Sequence, residues 1–163
     1  MLLEDNALIG YRLDEKSAPD HPANKWLIAY WEARRGAGGI PLRSDMAFSD
    51  LKSLLPGFFV VEPADQGRDF IFRLAGTEIE ERLSLRVTGR RFTECYGDSA
   101  AGAINFYMRV LSDEKPHVLR GNFLGRGIEY ADFEAVHMPV LGQSGNMQVC
   151  GTMFDMSKAV LFS

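Results

Sequence analysis

Between Asp69 and Phe92 the chain reads D-F-I-F-R-L-A-G-T-E-I-E-E-R-L-S-L-R-V-T-G-R-R-F, and the order of signals in that stretch constrains the fold more than any other segment. Phe70, Phe72 and Leu74 alternate with Ile71, Arg73 and Ala75, the period of a strand with one apolar face. Gly76 breaks the alternation. Thr77 then opens a short helix with Glu80 three residues on, the spacing of a reciprocal capping box. Thr88-Gly89 supplies a second turn signal before Phe92. A strand therefore runs straight into short helical pieces.

The chain has 163 residues, enough for one domain with its own core. Its 46% hydrophobic and 25% charged residues are the proportions of a folded chain and not of a disordered one. A formal net charge of −4 argues against nucleic acid, whose phosphates call for a basic face. Arg34-Arg35 and Arg90-Arg91 read as solvated surface charge. No segment approaches the roughly 20 apolar residues of a membrane span, and the acidic N-terminus lacks the marks of a signal peptide. The expected location is the cytoplasm. Cys95 and Cys150 stand apart from each other and from any histidine at metal spacing, so both read as buried free thiols.

Residues 1–57 read as an arm and a helical extension. Leu8–Leu13 is a short extended piece, Lys16–Pro22 a loop, and Asn24 the cap of a helix over Lys25–Arg35. A second helix fits Phe48–Leu55, and Pro56-Gly57 ends it. Phe58–Glu62 and the Phe70 stretch read as an antiparallel pair of strands. Ser99–Leu111 is the strongest helix of the second half, with Ile104, Tyr107, Met108 and Leu111 as its apolar stripe. Three strands follow: His117–Leu124, Tyr130–Leu141 after the turn Gly125-Arg-Gly127, and Met147–Phe154 after the hairpin loop Gly142–Asn146. The order predicts an α+β domain over residues 58–157, an antiparallel sheet with helices gathered on one side, and a short tail over 158–163.

This order of elements, with Asp69–Thr77, Val87–Phe92 and the closing Met153-Phe-Asp-Met-Ser157, resembles the PAS domain. The leader is similar to the N-terminal signature of a PAS subfamily found mainly in alphaproteobacteria, often as single-domain proteins; Tyr30–Arg35, Ile40–Asp45 and Leu54-Leu-Pro56 carry it. The resemblance implies a five-stranded antiparallel sheet curved around a small cavity, and signalling through bound ligands or protein contacts. Two chemistries of such domains lack their residues here. The stretch Gly89-Arg-Arg-Phe92 has no G-R-N-C for a flavin adduct, and Ser99–Ser112 has no histidine for haem. No particular cofactor is implied.

The sheet strands and the helices over them supply the expected cavity wall: Phe72, Leu74, Phe133 and Met153, with Leu119 and Phe123 from the strand after the long helix. Ile79, Leu83, Phe92, Tyr107, Met108 and Leu111 complete it. A close-packed core without ligand space is the alternative. Arg73 and Arg120 are expected to point outward. Hydrolytic motifs are absent, so the expectation is a binding protein, a sensor or adaptor. The competing reading is a small cavity enzyme with His137 or Tyr107 as its acid–base group, and a third is a ligand-free adaptor. Trp26, Tyr30 and Trp31 are residue types that anchor interfaces, either with a signalling protein or with a second copy of the chain; alternatively their helix caps its own sheet. Only Lys158–Ser163 follow Ser157, so a signal is expected to leave by non-covalent contact.

Overall fold

The computed structural model describes residues 10–37, 39–124 and 132–156. In chain order the elements are β1 (Gly10–Lys16), α1 (Pro22–Arg34), α2 (Phe48–Leu51), β2 (Phe58–Ala64), β3 (Asp69–Ala75), α3 (Thr77–Leu83), α4 (Phe92–Tyr96), α5 (Ala100–Asp113), β4 (His117–Leu124), β5 (Phe133–Leu141) and β6 (Met147–Asp155). One antiparallel sheet takes all of these strands in the order β1-β4-β5-β6-β2-β3. Six strands stand among the described residues where five were expected. The addition is β1, which pairs with β4 from Gly10↔Leu124 to Lys16↔Val118 and covers an edge whose backbone groups would otherwise lack partners.

Helices lie on both faces of the sheet, not on one. The two faces are distinct apolar clusters. On the first, which we call the inner face, α3, α4 and α5 bring Ile79, Phe92, Phe106 and Val110 onto Phe59, Phe72 and Ala135. On the outer face, α1 and the segment around α2 bring Leu27, Trp31, Leu51 and Leu54 onto Val60, Val136, Met138 and Cys150. The central strand β5 is consequently buried on both sides from Phe133 to Val140.

Polar groups fix α1 in place. The helix begins at Pro22, and the His21 ring, as cap, accepts a hydrogen bond from Ala23 N at 3.1 Å. Asn24, expected as the cap, instead turns into the sheet. Its Nδ2 donates to Glu134 Oε1 at 3.0 Å, and its Oδ1 accepts from Thr152 Oγ1 at 2.5 Å. The fully buried Glu134 carboxylate also accepts from the backbone N–H groups of Asp20 and His21, each at 2.8 Å. An anion thus sits where the unpaired N–H groups and positive dipole end of α1 favour one.

Two other local expectations change. The helix predicted over Phe48–Leu55 stops at Leu51 and continues as tighter 3₁₀ turns through Lys52–Gly57, a shift that accommodates Pro56. Thr77 is the first residue of α3 rather than its cap, and Glu80 reaches forward to accept from the N–H groups of Val87 at 2.8 Å and Thr88 at 3.1 Å. The cap position belongs to Gly76, where a Cβ would stand 2.2 Å from the carbonyl oxygens of Leu55 and Pro56. Strand β5 is described from Phe133, and the predicted turn Gly125-Arg-Gly127 lies outside the described residues.

Candidate functional site

A β-bulge decides which side chains of β3 reach the inner face. Val60 pairs with Leu74 but its neighbour Val61 pairs with Phe72, so Arg73 is the extra residue on β3. Phe70 and Phe72 face inward, whereas Leu74 joins the outer cluster, contrary to its expected place on the cavity wall. Arg73 is exposed and paired with Glu62. Arg120 is likewise committed at the surface, to Asp132 at 2.8 Å and Asp20 at 3.2 Å.

Helix α5 is turned relative to its predicted stripe. Ala103, Phe106, Tyr107, Val110 and Leu111 are buried, while Ile104 is half-buried and Met108 is 39% exposed. Ala103, Phe106 and Val110 belong to the same helical face as Tyr107 and Leu111, and that face wins because it carries the two aromatic rings.

A cavity of about 310 Å³ lies between this helix face and the inner sheet. Of the predicted wall, Phe72, Ile79, Leu83, Tyr107, Leu119, Phe133 and Met153 do line it. Phe92 and Leu111 are buried in the surrounding core without lining it. The side chain of Phe123 lies outside the described residues. Phe59, Phe106 and Ala135 line the cavity without having been singled out from the sequence, as do Leu13 and Glu15 of β1. Glu15 and Arg109, both half-exposed, form a 3.1 Å ion pair from β1 to α5 at the open end of the cavity.

The floor follows from strand register. His117, His137, Gly151, Phe59 and Ala75 form one row across β4, β5, β6, β2 and β3. Gly151 leaves the row without a side chain beside His137. A Cβ there would stand 1.7 Å from the Val136 carbonyl oxygen and 3.0 Å from the Phe59 ring.

His137 is the buried polar residue of this floor. Its ring meets Phe106 and Tyr107 edge-on, with centroids 4.8 and 5.2 Å away, and Phe59 at 5.4 Å. Nδ1 lies 3.4 Å from the His117 carbonyl oxygen. Burial among these rings pushes the imidazole pKa down to about 3, so it is neutral at physiological pH. A carbonyl only accepts, so the proton sits on Nδ1 and Nε2 carries a lone pair. The two thiols are buried, and desolvation pushes Cys95 up to about 11 and Cys150 up to about 12, which makes both poor nucleophiles. Among the described residues no group of His, Cys, Asp and Glu could hold a metal ion. No helix among them is long and apolar enough to cross a membrane.

On the outer layer, the aromatic residues of α1 have separate places. Trp31 is fully buried, with Nε1 donating to the Pro139 carbonyl at 2.8 Å. Tyr30 is buried too, its hydroxyl donating to Asp50 at 2.7 Å and accepting from Ala47 N at 3.1 Å. Trp26 is 41% exposed and stacks on Tyr30. The helix caps its own sheet through Trp31, and of the three rings only Trp26 presents a large surface outward.

A single antiparallel sheet with a helix-covered cavity on one face defines a PAS-like α+β fold. The sequence profile of the PAS domain matches residues 19–154, and the chain belongs to that family. Strand β1 and its two cavity residues precede the matched span. Among solved structures, the chain is similar to a sensory box sensor histidine kinase from Vibrio cholerae, at 15% identity and a TM-score of 0.46, covering 70% of this chain and 93% of that one. It is also similar to the N-terminal domain of a diguanylate cyclase with PAS/PAC sensor from Marinobacter aquaeolei, at 21% identity and a TM-score of 0.41, covering 61% of this chain and 95% of that one. No curated protein sequence matches.

Proposed function

We infer that this chain is a PAS sensor or adaptor that binds a small molecule in the inner-face cavity and signals, without catalysis, by contact with a partner protein. The cavity carries the reading: about 310 Å³ of space in an otherwise buried aromatic core, with one neutral imidazole on its wall. Protein interiors are close-packed, and a void of this size forfeits contacts on every wall unless a guest restores them. The catalytic alternative finds less support. A group pushed down to about 3 is a weak base at neutral pH, so His137 is ill-suited to the acid–base role that reading would give it. We assign the protein to the cytoplasm, and the contact surface for a signalling partner or a second copy to the outer layer around Trp26 and Phe48, which is 64% exposed.

Native mass spectrometry of freshly purified protein, with an absorption spectrum of the same sample, tests the ligand. The expected result is excess mass that disappears on denaturation in the wild type and is missing from Ala103→Phe, which fills the cavity. A bare mass in the wild type removes the ligand from the reading and leaves an adaptor.

A further inference from the structure

We propose that the cavity takes a neutral aromatic molecule bearing one hydrogen-bond donor, a phenol or an indole, whose O–H or N–H is accepted by Nε2 of His137. The inference rests on the cavity being a ligand site and names the chemistry that site selects.

Three properties of the wall converge on it. Phe59, Phe72, Tyr96, Phe106, Tyr107 and Phe133 all line the space, so a planar guest meets ring faces and edges from both the sheet and the helices. The volume stands at the small end of the roughly 300–1,000 Å³ typical of ligand pockets, which suits one ring or two fused rings.

Polarity supplies the second property. His137 is 96% buried by the complement of its 4% exposure, its Nδ1 is directed to the His117 carbonyl, and its Nε2 takes no hydrogen bond from the described residues. Three aromatic contacts hold the ring, so the lone pair is fixed in direction before a guest arrives. His137 lines the cavity, and a guest that supplies a donor to its Nε2 adds a hydrogen bond in a largely apolar space.

Charge is the third. Among the described residues, the charged groups on the cavity lining are Glu15 and Arg109, and they neutralise each other at its open end. An anion placed deeper would meet the His137 lone pair with no cation beside it, and a cation would find no carboxylate there. Burying either one unpaired is costly.

The test is calorimetric titration of the full chain with three probes of matched shape: 4-methylphenol, its O-methyl ether 4-methylanisole, and 4-methylbenzoate. The wild type is expected to bind 4-methylphenol at least tenfold more tightly than the ether and to reject the benzoate. His137→Phe is expected to reverse the order of phenol and ether. Equal affinity for phenol and ether in the wild type overturns the donor rule, as does a preference for the benzoate, and in both cases the cavity remains a ligand site. Failure of all three probes overturns the aromatic class. If the fresh protein then still carries a denaturation-sensitive mass, the ligand reading survives with a different chemistry; a bare mass ends both. The comparison among probes on the wild type decides the proposal even if His137→Phe does not fold.

Discussion

The two faces of this sheet use the same strands to opposite ends. On the outer face Leu27, Trp31, Val136, Met138, Val140 and Cys150 are sealed to 0% exposure, and the buried polar groups Glu134, Asn24 and Thr152 are bonded to one another or to the start of α1. On the inner face the strands' alternate side chains end at a cavity of about 310 Å³, beside an imidazole Nε2 that takes no hydrogen bond from the described residues. Close packing with satisfied polar groups is what stability asks of a face, and spare volume with an unsatisfied acceptor is what binding asks of one. The fold places most of the first demand on one side of the backbone layer and the aromatic cavity on the other, although the outer side also keeps the buried Gln148 Oε1 without a partner among the described residues and a cleft of about 270 Å³ beside Met46, Leu51 and Phe58.

The same substitution made on each face is the sharpest way to break that contrast. Leu27→Ala on the outer face is expected to cost about 4–5 kcal/mol, near the top of the range for such truncations, because tight packing against the sheet leaves a true void. Leu119→Ala on the inner face is expected to cost only about 2–3 kcal/mol, since its side chain already borders empty space on one side. Urea unfolding of both variants measures the difference. Equal losses would mean that the inner face is as tightly packed as the outer.

The polar half of the contrast is tested at Glu134. Replacing it by Gln keeps the shape but turns one acceptor into an N–H₂ group facing the backbone N–H of Asp20 or His21. One buried donor then loses its partner, for an expected loss of about 1–3 kcal/mol. The loss should appear in the thermal unfolding midpoint. An unchanged midpoint would show that α1 docks by its apolar residues alone.

Much of this architecture was legible in the chain, for identifiable reasons. Strong alternation in β3 and β6, the Pro and Gly stops, and the hairpin Gly142–Asn146 all act locally, so reading them in order suffices. What escaped was set by partners distant in sequence. The bulge that turns Leu74 outward exists only in the pairing of β2 with β3. Asn24 has a fine local use as a helix cap, but Glu134 and Thr152, more than 100 residues away, claim its amide. Strand β1 is G-Y-R-L-D-E-K, weakly apolar, and is a strand because β4 offers an open edge. At the site, Phe72, Tyr107 and Phe133 could be chosen as bulky apolar residues on predicted inner faces, and His137 was distinguished as a possible acid–base group. Its actual position in the same row as Gly151 and Phe59 required the register, which no periodicity encodes.

That buried imidazole also makes the inner face sensitive to acid, with an effect spread over pH. In the unfolded chain a histidine binds its proton near pH 6.5, whereas folded His137 does so only at about 3, because burial disfavours the cation. Between those values the unfolded state holds more protons than the folded one, so stability must fall as pH falls. The contribution is complete above about pH 6.5 and declines by at most about 1.4 kcal/mol per pH unit below it. His21 adds to the same trend: its pKa is also lowered, by burial first, with Glu134 opposing the shift. The prediction is therefore a difference between two chains. Unfolding free energies at pH 7 and pH 5 should drop less in His137→Phe than in the wild type, and His21 contributes to the part of the slope that remains. An identical drop would mean that His137 takes up its proton in the folded cavity without penalty, and an imidazolium that donates its own proton would then favour an anionic guest over a phenol.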